Sequence, residues 1–404
     1  MDIKYKSNGK CRSGNFKRTL VRDFEMDEIK KVNKFHESFE VYNKTPLARL
    51  DNLAKNLGVK NIFVKDESYR FGLNAFKVLG GSYAIGKLLA KKLGVDISDV
   101  SFEYLRSEEV KNKIGQITLT TATDGNHGRG VAWAAQQLGQ KAVVYMPKGS
   151  SLTRLNNIKA TGAEAYITDL NYDDAVRLSL ENAKKYGWEI VQDTAWEGYE
   201  EIPLWIMQGY ATMMVEAVEQ LKEAGTQKPT HVFIQAGVGA LAGAVQGFLT
   251  AYYGEDRPIT AIVEPNLADC IYRSAVNGKM TNVTGDMPTI MAGLACGEPN
   301  PIGWNILDAY TDMFVSCEDY VAAEGMRVLG NPLRDDRKVI SGESGAAPAG
   351  FMYCILKDEK YKEIREALSI DENSSILVIS TEGDTDPDNY RKIVWDGAYP
   401  YPEE

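Results

Sequence analysis

Histidine and cysteine are scarce in this 404-residue chain, with three and five copies respectively. The cysteines stand at 11, 270, 296, 317 and 354 without a CxxC pair, and no HExxH occurs. The usual zinc-ligand spacings are therefore missing, and no metal site is expected. Basic charge is also in short supply: 46 Lys and Arg against 56 Asp and Glu leave a net charge of −10. That sign opposes the counterion release that drives nucleic-acid binding, so neither nucleic acid nor an anionic membrane is an expected partner. The N-terminus carries Lys4, Lys6, Lys10, Arg12, Lys17 and Arg18 with no apolar run behind them. A secretory leader is not expected, and a cytoplasmic setting is. Residues 229–254 hold no charged side chain and would be long enough to span a bilayer. They divide into a strand-like half, HVFIQA, and a Gly/Ala-rich half, which reads as a buried strand, turn and helix.

What is present is typical of a folded enzyme: 44% hydrophobic, 25% charged and 10% aromatic residues, enough to bury a core without staples. Apolar, β-branched runs recur at NIFVK, QITLTT, KAVVYMP, EAYIT, EIVQD, HVFIQA, ITAIVEP, DMFVS and SILVIS, most of them separated by helical patterns. This alternation predicts an α/β fold of open, twisted, mainly parallel sheets flanked by helices. We expect two domains with the active site in the cleft between them. The larger, cofactor-binding one comprises 1–80 plus 210–404, and a smaller one, 81–209, is inserted in it. The charge-rich residues 91–113 read as a surface excursion.

In open parallel sheets ligands bind at the carboxyl ends of strands, and five such places stand out. In NAFKVLGGS, Lys77 is the only charged residue between Phe71 and Gly86. An apolar site favours the neutral amine, a nucleophile able to form a Schiff base; a lysine snorkelling from a helix start accounts for the segment equally well. In TTATDGNHGRG a strand runs through a polar, glycine-containing turn into a helix, placing Thr123, Asp124, Gly125, Asn126 and His127 where a substrate carboxylate can be held. Asp124 reads equally as the cap of that helix. In HVFIQAGVGALAGAV, Gly237 and Gly239 follow a strand and open a helix, a phosphate cradle. The same segment, taken as G-x-G-x-x-A through Ala242 with Glu264 roughly twenty residues on, imitates a dinucleotide fingerprint and supports a rival reading as a nicotinamide-dependent oxidoreductase. In ILVISTEGDTD, Ser380 and Thr381 end an apolar strand with hydroxyls suited to a ring nitrogen, or to ordinary turn chemistry. In EIVQDTAWEGYEEIP, Asp193 sits at a strand end beside Trp196 and Tyr199, as a second active-site carboxylate or as a loop cap. GESGAA around Ser344 lacks the second spaced glycine of a nucleophile elbow, which disfavours a hydrolase.

Six ordered blocks, YNKTPLARL, KDESYRFGLNAFKVLGG, TDGNHGRG, QAGVGALAG, TIMAGLACG and ISTEGDTD, resemble the fold type II pyridoxal-phosphate enzymes, the family of serine and threonine dehydratases, threonine synthase and the tryptophan synthase β-subunit. The resemblance implies pyridoxal 5'-phosphate carried on Lys77, with Asn126 on the ring's 3′-oxygen. It further implies the phosphate in the loop 237–241, and Ser380 or Thr381 facing the pyridine nitrogen. The chain departs from the dehydratases at Asp124, where they usually carry Ser or Thr. With DTAWEGYEEIP, this is similar to the diaminopropionate ammonia-lyases, carbon–nitrogen lyases that are typically homodimeric and degrade both enantiomers of 2,3-diaminopropionate to pyruvate and ammonia. That resemblance implies Asp124 as the base for one enantiomer and Asp193 for the other. An amine leaves well only when protonated, and a carboxylate suits an ammonium where a serine hydroxyl suits a smaller neutral leaving group. A serine or threonine dehydratase of the same fold is the nearest alternative. Cys270 and Cys296 are expected as two partly buried thiols bordering the site.

Overall fold

The structure is a computed structural model and describes residues 2–13, 17–123 and 125–402. Its strands in chain order are β1 (Ile3–Ser7), β2 (Leu47–Arg49), β3 (Asn61–Asp66), β4 (Thr118–Ala122), β5 (Lys141–Met146), β6 (Glu164–Ile167), β7 (Glu189–Ile190), β8 (His231–Gln235), β9 (Ile259–Pro265), β10 (Met313–Cys317) and β11 (Ser375–Ser380). They form a seven-stranded sheet of order β1-β10-β9-β8-β11-β3-β2 and a four-stranded sheet of order β6-β5-β4-β7. All nine expected runs are strands, although EIVQD contributes only its first two residues. The two strands the apolar pattern does not announce, β1 and β2, lie at the edges of the larger sheet and are antiparallel to their neighbours. Every other pairing is parallel. An edge strand needs only one buried face. In β1 only Ile3 is buried, while Lys4 is exposed, the kind of charge that blunts an open sheet edge.

The central strands β3, β8, β10 and β11 are buried along their whole length, which is why they read as continuous apolar runs rather than as alternations. The uncharged stretch 229–254 is β8 followed by the helix Ala240–Tyr253, and no described helix is long and apolar enough to cross a membrane. Within 91–113 the chain forms the short helices Phe102–Leu105 and Glu108–Ile114, whose Phe102, Leu105 and Val110 are buried.

By packing, the chain separates into two compact units: 1–22, 44–69 and 213–404, and 23–43 with 70–212. The first holds the seven-stranded sheet and the second the four-stranded one. The expected division at 80/81 and 209/210 differs in three respects: residues 23–43, 70–80 and 210–212 belong to the unit of the smaller sheet. Close backbone approach accounts for the second difference. A Cβ on Gly130 would lie 2.8 Å from Val78 Cα, and one on Gly209 would lie 2.5 Å from the Leu79 carbonyl oxygen. The helix Val78–Leu93 is therefore seated at its first turn against two others, Asn126–Gln137 and Glu201–Glu223.

Candidate active site

Lys77 immediately precedes the helix Val78–Leu93, so the glycine contacts that fix the first turn of that helix also fix the lysine's backbone. Its Nζ lies 2.9 Å from Asp193 Oδ2 and donates to it. The apolar surroundings expected from the local sequence are thus incomplete: a carboxylate 116 positions away in the chain faces the amine.

Asp193 is 3% exposed. Burial is the largest single influence and works to raise its pKa, but it is outweighed by several opposing influences together, of which the charge of Lys77 is the greatest. With the field of His127 and hydrogen bonds from Lys77 and Tyr172, that charge holds the carboxyl well below the ordinary range. The two carboxylate oxygens have different neighbours. Oδ1 accepts from Tyr172 Oη at 3.2 Å and from Gln192 Nε2 at 3.2 Å. Oδ2 faces Lys77 and, at 3.9 Å, His127 Nδ1. His127 Nε2 donates to the Val191 carbonyl at 2.8 Å, which fixes the ring with Nδ1 on the Asp193 side.

The turn after β4 is built on Thr123, whose Oγ1 accepts from the Gly125 and Gly128 N–H groups at 2.9 and 3.0 Å. Gly125 precedes the helix Asn126–Gln137, so Asn126 is its first residue and His127 its second. Asp124 lies outside the described residues. The smaller unit therefore brings Lys77, His127 and Asp193 together and sets Thr123, Gly125 and Asn126 on the adjoining turn.

In the larger unit the loop of Gly237, Val238, Gly239, Ala240 and Leu241 follows β8 into the helix Ala240–Tyr253. Gly239 adopts φ +91, a conformation that costs an L side chain dearly and a glycine little. The Val238 carbonyl accepts from Asn300 N at 2.7 Å, tying the loop down from outside. Cys270 and Cys296 are both buried. Cys270 Sγ lies 3.6 Å from the Gly237 carbonyl oxygen, and a Cβ on Gly237 would lie 3.3 Å from Cys296 Sγ. Ser380 and Thr381 are buried at the end of β11. Ser380 Oγ donates to Ser341 Oγ at 2.8 Å, and Thr381 Oγ1 accepts from Gln235 Nε2 at 2.8 Å.

These groups fit pyridoxal phosphate in kind: a primary amine on a rigid backbone, a glycine loop at the N-terminus of a fourteen-residue helix for a phosphate, and buried hydroxyls for a ring nitrogen. The nicotinamide reading fails at Glu264. That side chain is fully buried and accepts from the Ile271 and Tyr272 N–H groups at 2.9 and 2.6 Å, capping the helix Cys270–Asn277 rather than awaiting a ribose. Two residues of the site escaped the sequence reading. Gln192 was legible only as the neighbour of Asp193, and Tyr172 carries no local signal because it reaches Asp193 from the first turn of a different helix.

A family model described as pyridoxal-phosphate dependent enzyme matches residues 39–382. The diaminopropionate ammonia-lyase of Escherichia coli strain K12 is 56% identical over 377 residues, 93% of this chain and 93% of that protein. Its counterpart from Salmonella typhimurium is 55% identical, covering 91% of each chain. The crystal structure of the Escherichia coli enzyme in complex with an aminoacrylate-PLP azomethine reaction intermediate matches with a TM-score of 0.90 at 51% identity, covering 98% of both chains. A threonine deaminase from Solanum lycopersicum, at 21% identity and a TM-score of 0.68 over 91% of this chain and 93% of its own, shares the fold. Ordered motifs, geometry and relatives agree that the chain belongs to the pyridoxal-phosphate-dependent enzymes and, within them, to the diaminopropionate ammonia-lyase family.

Proposed function

We propose that this protein eliminates ammonia from D- and L-2,3-diaminopropionate, yielding pyruvate and ammonia, with pyridoxal 5'-phosphate as cofactor. The observation that carries this reading is the Lys77–Asp193 pair: an amine and a buried, ionised carboxylate 2.9 Å apart on a rigid support. When bound, the cofactor supplies an aldehyde carbon for amines and a ring that takes up the electron pair left when the Cα proton departs. Lys77 would hold its aldehyde carbon, Asn126 its 3′-oxygen, the N–H groups of Gly237, Val238, Gly239, Ala240 and Leu241 its phosphate, and Ser380 or Thr381 its ring nitrogen.

The chain's own groups divide the remaining work. Asp193 keeps its charge to low pH, so it can accept a Cα proton from one face or hold the substrate's side-chain ammonium. Asp124 does the same for the opposite enantiomer, and the amine departs as ammonia once protonated. Thr123, Gly125 and His127 complete the substrate-facing turn. The two packing units serve as the two domains of a homodimeric cytoplasmic enzyme.

The test is direct. Purified protein should absorb in the visible, lose that band with borohydride, and release pyruvate from diaminopropionate, while Lys77→Ala should lose both properties. No pyruvate from either enantiomer would sink the reading.

A further inference from the structure

We infer that Gln192 is a positioning residue that aims the Asp193 carboxylate, engaging Oδ1 so that Oδ2 faces Lys77 and the reacting proton. The inference rests on the proposed role of Asp193 as a base.

The argument starts at the point where the smaller sheet comes apart. Thr120 pairs with Ile190 in the parallel β4–β7 ladder, and Val191 N donates to the Thr120 carbonyl at 2.9 Å. The next rung of a parallel ladder would join Ala122 N to the Val191 carbonyl. That rung is replaced by two side chains. The Val191 carbonyl accepts from His127 Nε2 at 2.8 Å, and Ala122 N donates to Gln192 Oε1 at 2.9 Å. Both substitutes belong to the cluster around Asp193. Opening the ladder thus frees the chain to turn Asp193 inward while the valences it gives up remain satisfied.

Gln192 is completely buried, and the chemistry of its partners settles which end of its amide points where. Ala122 N–H can only donate, and the Thr121 hydroxyl donates to the same atom at 2.8 Å, so the oxygen faces β4. The amide nitrogen then faces the other way, donating to Tyr172 Oη at 2.9 Å and Asp193 Oδ1 at 3.2 Å. Having accepted from Gln192, Tyr172 Oη donates its own proton to Asp193 Oδ1. The chain of donors is polarised in one direction, from β4 through the amide and the phenol to the carboxylate, and each bond strengthens the next. Among the described residues, the charged and titratable groups facing Asp193 include Lys77, His127, Tyr172 and, from the loop after β7, Tyr199, whose hydroxyl accepts from Gln192 N at 2.8 Å. Gln192 does not titrate, and it links β4 with the carboxylate of Asp193.

Gln192→Glu isolates the proposed role because it keeps the acceptor for Thr121 and Ala122 and replaces only the Nε2 donor with an oxygen against Asp193 Oδ1. In the holoenzyme, the enantiomer whose turnover Asp193→Asn abolishes should show the acid limb of its pH–rate profile raised by roughly one unit or more. The other enantiomer's profile should not move. A readout independent of turnover is acid unfolding of the same protein followed by far-ultraviolet circular dichroism, whose midpoint should rise. Gln192→Met, neutral and of similar length, provides a second variant should Gln192→Glu not fold; it should slow the Asp193-dependent enantiomer at least tenfold more than the other. Equal losses for both enantiomers with unmoved profiles, or an unmoved acid-unfolding midpoint in Gln192→Glu, overturn the inference. If the wild type releases no pyruvate at all, the functional reading is what fails, and the acid-unfolding comparison still decides the role of Gln192.

Discussion

Asp193 combines near-complete burial with a lasting charge, and the charge survives because Lys77, His127 and Tyr172 all face it. A carboxyl whose pKa is lowered by folding contributes stability that is fully present above the unfolded value, about 3.9, and is lost as pH falls through the folded one. The difference in melting temperature between wild type and Asp193→Asn should therefore stay flat through neutral pH and shrink below about pH 4. A difference that stayed unchanged as the pH fell well below 4 would mean that Lys77 does not hold the carboxyl below its ordinary range. At this scale the sequence was half legible. Lys77 and Asp193 were visible as charged residues at strand and helix ends, but the ion pair was not, because the two lie 116 positions apart and meet only through tertiary packing. Glu264 was misleading for a related reason: its spacing matched a ribose-binding acid, while its oxygens are spent on two helix N–H groups.

Glu264 also shows how a single element is held. Burial pushes its carboxyl well above the ordinary range despite the N–H groups of Ile271 and Tyr272 that it accepts. A carboxyl raised by folding costs stability as pH climbs through its folded pKa. Gln at this position keeps an acceptor without the buried charge, so Glu264→Gln should raise the melting temperature at pH 8 and lose that advantage as the pH is lowered. A second element-scale prediction concerns the helix that carries Lys77. An alanine Cβ at Gly130 would meet Val78 Cα at 2.8 Å, whereas one at Gly81 would meet Val131 N at 3.3 Å. Gly130→Ala should therefore cost about 1–3 kcal/mol in urea unfolding and lower kcat. Gly81→Ala should be close to neutral, because the helix-propensity gain of up to ~1 kcal/mol offsets a mild contact. Elements themselves were the most legible feature of the chain. All nine apolar runs formed strands, whereas β1 and β2 were missed because an edge strand with one buried face has too few apolar positions to announce itself.

At the scale of the whole molecule, the alternation of strands and helices sufficed to read the α/β class and the mainly parallel sheets. The unit boundaries were less legible, since residues 23–43, 70–80 and 210–212 join the unit of the smaller sheet through contacts remote in sequence. Family membership was legible from six blocks in order, and the chain's similarity to the Escherichia coli enzyme extends over 93% of both chains. The net charge of −10 bears on solubility, whereas the proposed chemistry depends on one lysine and two carboxylates. The central claim is that these two carboxylates serve opposite enantiomers. Steady-state elimination of D- and L-diaminopropionate by wild type, Asp124→Asn and Asp193→Asn tests it in one experiment. Each variant should lose at least 100-fold in kcat/KM for one enantiomer, the two variants should lose opposite ones, and each should retain a substantial part of its activity on the other. Equal losses for both enantiomers in both variants would contradict the two-carboxylate scheme.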